Sequence, residues 1–198
     1  APAHFDGALT DPVWQQAATL ADWQMLDGSA APLATTAKVF RTDTDLYVGI
    51  RCAEPDMAGL RSERTKHDDA WLFRDDSVEL FLDVGRKLDD KRYFHLTGNS
   101  AGTLRDSYGR NGIAWESDAE VAAARDADGW SIAMRIPLFS LGVAAVTPGE
   151  RWGLNVCRTR PVRQEPESVM QNENYTFYNW NGPFGYHNPM RFGVVELE

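Results

Sequence analysis

Residues 77–84 read SVELFLDV, and no other stretch limits the fold as tightly. Val78, Leu80, Leu82 and Val84 fall on one parity; Ser77, Glu79, Phe81 and Asp83 fall on the other. Side chains alternate sides along an extended chain, so this pattern marks a strand with one face against a core. A second run, KRYFHLT at 91–97, has to turn Phe94 and Leu96 toward that core. Pairing Val78 with Leu96 and Leu80 with Phe94 then sets Glu79 opposite His95 and Phe81 opposite Tyr93. A slip of two residues changes the partners and keeps the faces, whereas a slip of one is forbidden by the core. Either way Glu79, Phe81, Tyr93 and His95 share the outer face.

The same reading extends along the chain. TTAKVFR and LYVGIRCA flank a TDTD turn at 42–45, and AEVAAAR and GWSIAMRIP flank a DADG turn, with Pro137 ending the second strand. GNSAGT turns into LRDSYG, and RWGLNVCRTR and RFGVVELE supply further strands. Near the N-terminus DPVWQQA predicts one short helix, capped by Asp11, with Pro12 in its first position and Trp14 and Ala17 inward. PLFSLG predicts a single helical turn. About nine strands at this spacing predict an all-β fold, a two-sheet antiparallel β-sandwich of jelly-roll or immunoglobulin-like kind. One domain over 1–198 is expected, since no repeat or linker interrupts the chain.

The 43% hydrophobic content suffices for a core, and the net charge of -9 disfavours nucleic acid or an anionic membrane as partner. The nearest basic stretch, RTRPVR at 158–163, is followed by Glu165 and Glu167. A neutral or cationic ligand suits that balance. No apolar run reaches the roughly 18 residues of a membrane span. The chain opens at Ala1 without Met, so a leader could have been removed. Cys52 and Cys157 both fall in predicted strands; a bridge, which needs Cα atoms within about 7 Å, and two separate thiols both stay open.

An outer face that sets a carboxylate and an imidazole among aromatic rings suits a sugar. Rings stack on the apolar faces of a pyranose, and the polar groups take its hydroxyls. The competing reading is a structural face covered by the loop 161–188. That loop is polar and Asn-rich, yet holds Tyr175, Phe177, Tyr178, Trp180, Phe184 and Tyr186. An enzymatic reading would pair Glu79 with Asp76 or Asp106 as glycosidase carboxylates, but no motif marks either group as an acid.

Five pieces together resemble the family-9 carbohydrate-binding modules and their DOMON-like β-sandwich relatives. They are FDGALTDPVWQQA, DTDLYVGIRCAEPD, WLFRDDSVELFLD, GWSIAMRIPLFSLG and GYHNPMRFGVVEL, and with RWGLNVCR they span nearly the whole chain in order. The resemblance implies a non-catalytic module that clamps a sugar chain end between two rings. One ring, six residues before the Glu of DSVE, is Phe73, with Trp71 just upstream. The other, six residues before the Phe of the last FG, is Tyr186. It implies Glu79 as the carboxylate that bonds the sugar, and His95 beside it where an arginine is expected. An amide-bearing strand position falls near Cys157 and Arg158. Pro183 stands where an Asn is expected, with Asn181 close by, and Trp180 would extend the platform.

The resemblance further implies a secreted or periplasmic setting, service to polysaccharide degradation and a linked glycoside hydrolase module as partner, with no nucleic acid and no membrane span. Structural calcium is implied as well, with Asp68 and Asp69 as candidate ligands and further acids at 42–45 and 74–76; no organic cofactor is expected. Two other readings remain. One is a structural accessory domain without its own ligand. The other is a b-type haem domain of the DOMON-like kind, with axial ligands drawn from Met57, Met134, Met170, Met190, His95 and His187. Against haem, Met134 alternates with Ile132 and Ile136 as core residues do, and His187 reads as a loop brace through a backbone hydrogen bond.

Overall fold

The computed structural model describes residues 1–162 and 175–198. Glu165, Glu167, Met170 and the rest of the 163–174 stretch lie outside the described residues. A helix α1 (Val13–Gln16) is followed by β1 (Ala18–Leu20), β2 (Gln24–Met25), β3 (Thr35–Arg41), β4 (Asp45–Ala53) and β5 (Ser77–Asp83). Next come β6 (Phe94–Asn99), β7 (Leu104–Tyr108), β8 (Glu120–Asp126) and β9 (Gly129–Pro137). β10 (Arg151–Pro161), β11 (Tyr175–Asn179) and β12 (Gly193–Glu196) complete the sheets. One sheet runs β1-β3-β4-β9-β8; the other runs β2-β11-β10-β5-β6-β7, with β12 also paired to β10. All strand pairs among the described residues are antiparallel, so the expected sandwich is the observed fold.

The core between the sheets takes Val78, Leu80 and Leu82 from one side and Val48, Ile132 and Met134 from the other. Each side chain of this size contributes about 1.5–3 kcal/mol on burial. Met134 is therefore a core residue. α1 covers the outer face of the five-stranded sheet, where Trp14 packs edge-on to Phe40 at 5.0 Å. Gly49 on β4 makes that seat, because a Cβ there would come within 2.8 Å of the Trp14 ring. The helix begins one residue later than expected, with Pro12 at the cap position, and Asp11 Oδ1 accepts the Val13 amide at 3.0 Å from just ahead of it.

Three expectations are refined. The β5–β6 register is the one slipped by two: Leu80 faces Leu96, Phe81 faces His95 and Glu79 faces Thr97. The cause lies in the turn, where Asp83 accepts the amides of Lys87 and Leu88 at 2.7 and 2.9 Å. That cap ends β5 at Asp83 and leaves Tyr93 ahead of β6, so the first pair is Leu82 with Phe94. Second, part of the expected loop 161–188 is a strand, β11, paired along Cys157–Pro161. Third, Cys52 and Cys157 are free thiols. Cys52 faces the core and Cys157 the outer side of its sheet, so the sheet separates them.

Candidate functional site

The site is built on the outer face of the seven-stranded sheet. Register stacks two cross-strand rows there: Cys157, Glu79, Thr97 and Arg105, then Asn155, Phe81, His95 and Ser107. The segment 186–192 lies across the second row. Phe81 and Tyr93 are wholly buried beneath it, in a small cluster with Cys157, Phe192 and Tyr186. Here the covered-face reading holds. One step along the sheet the cover ends, and a notch of about 310 Å³ opens. Phe73, Glu79, His95 and Tyr186 line it, with Arg105, Ser107, His187 and the 109–112 loop.

Each wall is held rigidly. Phe73 sits on a tight turn, Leu72–Arg74, beside the fully buried Leu72. The following Asp75 accepts from Arg64 Nη1 at 2.8 Å, the Arg64 amide at 3.0 Å and Asn99 Nδ2 at 2.8 Å. Asp76 accepts the Arg61 amide at 2.8 Å. The acids at 75 and 76 are internal anchors of this loop. Tyr186 is fixed from inside, its hydroxyl donating to the carbonyls of Arg158 at 2.7 Å and Tyr178 at 3.1 Å. Burial raises that hydroxyl's pKa well above its ordinary value.

On the floor, His95 Nε2 lies 2.8 Å from Glu79 Oε2, and the His95 ring stacks on Phe81 at 4.3 Å. The contact is diagonal, one row apart, not directly cross-strand as expected. His187 stands edge-on to His95 at 5.1 Å. Its Nδ1 lies 2.7 Å from the Tyr93 hydroxyl, so the brace runs through the side chain. Glu79, His95 and His187 each bring one polar atom within 4.8 Å of the others. Burial, and after it the neighbouring His95, lowers the His187 pKa to about 4, so that ring is neutral at pH 7.

Of the expected sugar-binding residues, Phe73, Glu79, His95 and Tyr186 are brought together; the rest are not. Trp71 stands outside the lining, half exposed, 6.0 Å from the Phe73 ring and under the Arg74 guanidinium at 4.2 Å. Arg158 is wholly buried because it pairs with Val78 and so shares that residue's core-facing side. It donates to Thr35 Oγ1 at 3.2 Å and the Ala53 carbonyl at 2.9 Å, away from the notch. Trp180 packs against the main core over Gly193, where a Cβ would lie 2.4 Å from its ring. Asn181 gives its amide to Asn179 Oδ1 at 3.2 Å and does not line the notch. Asp106 pairs with core-facing Leu96, on the opposite face from Glu79, so the two cannot flank one glycosidic bond. Arg105 and Ser107 were missed, although their alternation with Leu104 in LRDSY carried the signal.

Asp69 is a turn cap, its Oδ1 accepting the Trp71 amide at 2.8 Å. Asp68 instead gathers with His67, Asp106 and Glu116, with polar atoms within 4.8 Å of one another. Asp106 is buried; its Oδ2 accepts the Ser117 amide at 2.7 Å, while Oδ1 has no hydrogen-bond partner among the described residues.

Comparison with known proteins agrees with this architecture. The family model described as carbohydrate family 9 binding domain-like matches residues 5–198. The chain belongs to that family. Among solved structures, a family 9 carbohydrate-binding module from Caldicellulosiruptor kristjanssonii in complex with cellotriose superposes with a TM-score of 0.71 at 18% identity. The match covers 100% of this chain and 90% of that one. The same description with glucose gives 0.71 and 18%, covering 100% and 92%. A putative carbohydrate-binding protein from Bacteroides uniformis gives 0.64 at 16% identity, covering 90% and 87%. No curated protein matches the sequence significantly. These family 9 likenesses fix the fold. Among the described residues, no helix is long and apolar enough to cross a membrane.

Proposed function

We propose that this family 9 domain is a non-catalytic carbohydrate-binding module that takes a sugar chain end in the notch between Phe73 and Tyr186. One observation carries the reading: Phe73, Glu79, His95 and Tyr186, scattered along the sequence, line a single open notch. Its volume lies at the small end of ligand pockets, roughly 300–1,000 Å³, and suits a terminal sugar unit. The rings supply apolar area, and Glu79 with His95 supplies an acceptor and a donor for hydroxyls. Beyond Arg110, Tyr186 and His187 a second depression of about 820 Å³ continues past the exposed Phe184 and Met190, giving the following sugar units a path. Affinity is modest, because each hydroxyl exchanges water for protein at a net gain of about 1 kcal/mol. Secretion or export to the periplasm, and service to a polysaccharide-degrading enzyme in the same polypeptide, belong to the same proposal. Calorimetric titration with cellotriose tests it: saturable binding is expected, and no heat at millimolar sugar contradicts it.

Structural calcium is part of the reading. Asp68, Asp106 and Glu116 offer hard oxygen ligands, and the buried Asp106 Oδ1, without a hydrogen-bond partner among the described residues, is suited to a cation. Bound calcium would tie the 67–69 loop to β7. Calcium is expected to raise the melting temperature, and Asp106→Asn to abolish the rise. An equal rise in both proteins contradicts the site.

A further inference from the structure

Besides its rings and the Glu79–His95 pair, the notch is lined by two arginines. Arg105 comes from β7, where it pairs with Thr97 in the same cross-strand row as Glu79. Arg110 comes from the loop that follows. Gly109 and Gly112, at φ +67° and +61°, let that loop curl back over the notch. A Cβ at Gly112 would sit 3.3 Å from an Arg105 guanidinium nitrogen, so a bare glycine keeps that space open.

Inside the notch the two arginines outnumber the acids, while Asp89 and Asp90 lie beside Arg110 in the adjoining depression and not in the notch lining. Among the described residues, the Arg105 side chain makes no hydrogen bond or ion pair. Arg110 gives Nη1 to the His187 carbonyl at 3.1 Å and, among the described residues, pairs with no carboxylate. Glu79 is the one carboxylate among the described lining residues, and it is already engaged by His95 at 2.8 Å. Two permanent cations thus face one occupied acid, on a chain of net charge -9. A half-buried guanidinium without a counter-charge is an incomplete arrangement, and its fork of donors suits a planar or tetrahedral anion.

We propose that the notch is built for an anionic sugar, one carrying a carboxylate or sulfate group that Arg105 and Arg110 receive while the aromatic walls hold the ring. This rests on the carbohydrate reading above and names its substrate class. The overall negative charge does not oppose it, because screening limits the field of distant acids to about 8 Å at physiological salt. The neutral or cationic ligand suited to the net charge gives way to the local balance of the notch.

Calorimetric titration with glucuronic acid, glucose 6-sulfate and glucose, at low and high salt, tests the inference. At least one acidic sugar is expected to bind about tenfold more tightly than glucose, with the advantage shrinking as salt rises. Preference for glucuronic acid assigns a carboxylate, and preference for the sulfate ester assigns a sulfate. In Arg105→Gln, shown folded by circular dichroism, the ratio of acidic to neutral affinity is expected to fall to about one. If that variant does not fold, preference and salt dependence in the unaltered protein decide the matter. Glucose binding as tightly as both acidic sugars overturns the inference and leaves the carbohydrate reading standing. Failure of all three sugars while cellotriose binds overturns the inference alone, and failure of cellotriose as well overturns both.

Discussion

Glu54→Ala is expected to lower folding stability by about 3–5 kcal/mol, the cost of leaving a buried ion without its partner. Glu54 is wholly buried where the two sheets meet. Its carboxylate takes Arg160 Nε and Nη2 at 2.7 and 2.9 Å, and Arg158 Nη2 approaches at 3.5 Å. It also accepts the Asp56 amide at 2.9 Å. Alanine would strip one acid from two guanidinium groups at once, and Arg158 has no exposed surface through which water could compensate. Urea unfolding should show a lower midpoint with unchanged slope, and the melting temperature should fall by roughly 10 °C for a chain of this size. A loss below about 1 kcal/mol would mean that Thr35 and the Ala53 carbonyl suffice for Arg158. Because Arg158 lends its backbone carbonyl to Tyr186, the same variant should also loosen one wall of the notch.

Phe73→Ala is expected to weaken cellotriose binding by about 2 kcal/mol, roughly thirtyfold, while costing little stability. The ring is partly exposed on the Leu72–Arg74 turn, and the anchors of that turn are Leu72 and Asp75, not Phe73. The loss combines apolar area no longer covered by sugar with the stacking increment. Titration beside a thermal melt separates the two effects. Unchanged affinity in a folded variant would place the sugar elsewhere.

The strand pattern made the sandwich legible because alternation survives any tertiary context. SVELFLDV, TTAKVFR and GWSIAMRIP all became strands facing the expected core. The notch was legible where parity and spacing fixed a face: Glu79 and His95 by alternation, Phe73 and Tyr186 by resemblance to the family. It failed where one residue decides the side. Arg158 and Cys157 are neighbours, and strand geometry sends Cys157 to the outer cluster and Arg158 into the core. Trp71, Trp180 and Asn181 were assigned by proximity in sequence, which says nothing of direction at a turn. β11 hid within a polar stretch because its five residues are too few for a period to stand out. Alternation in LRDSY put Arg105 and Ser107 on one face, and the β6–β7 register was needed to set that face beside Thr97 and His95.

A crystal structure of the domain with cellotriose tests the central claim most directly. The account predicts a terminal sugar ring against Phe73 and Tyr186, with a hydroxyl bonded to Glu79. A sugar bound on any other surface, with the notch empty, contradicts it.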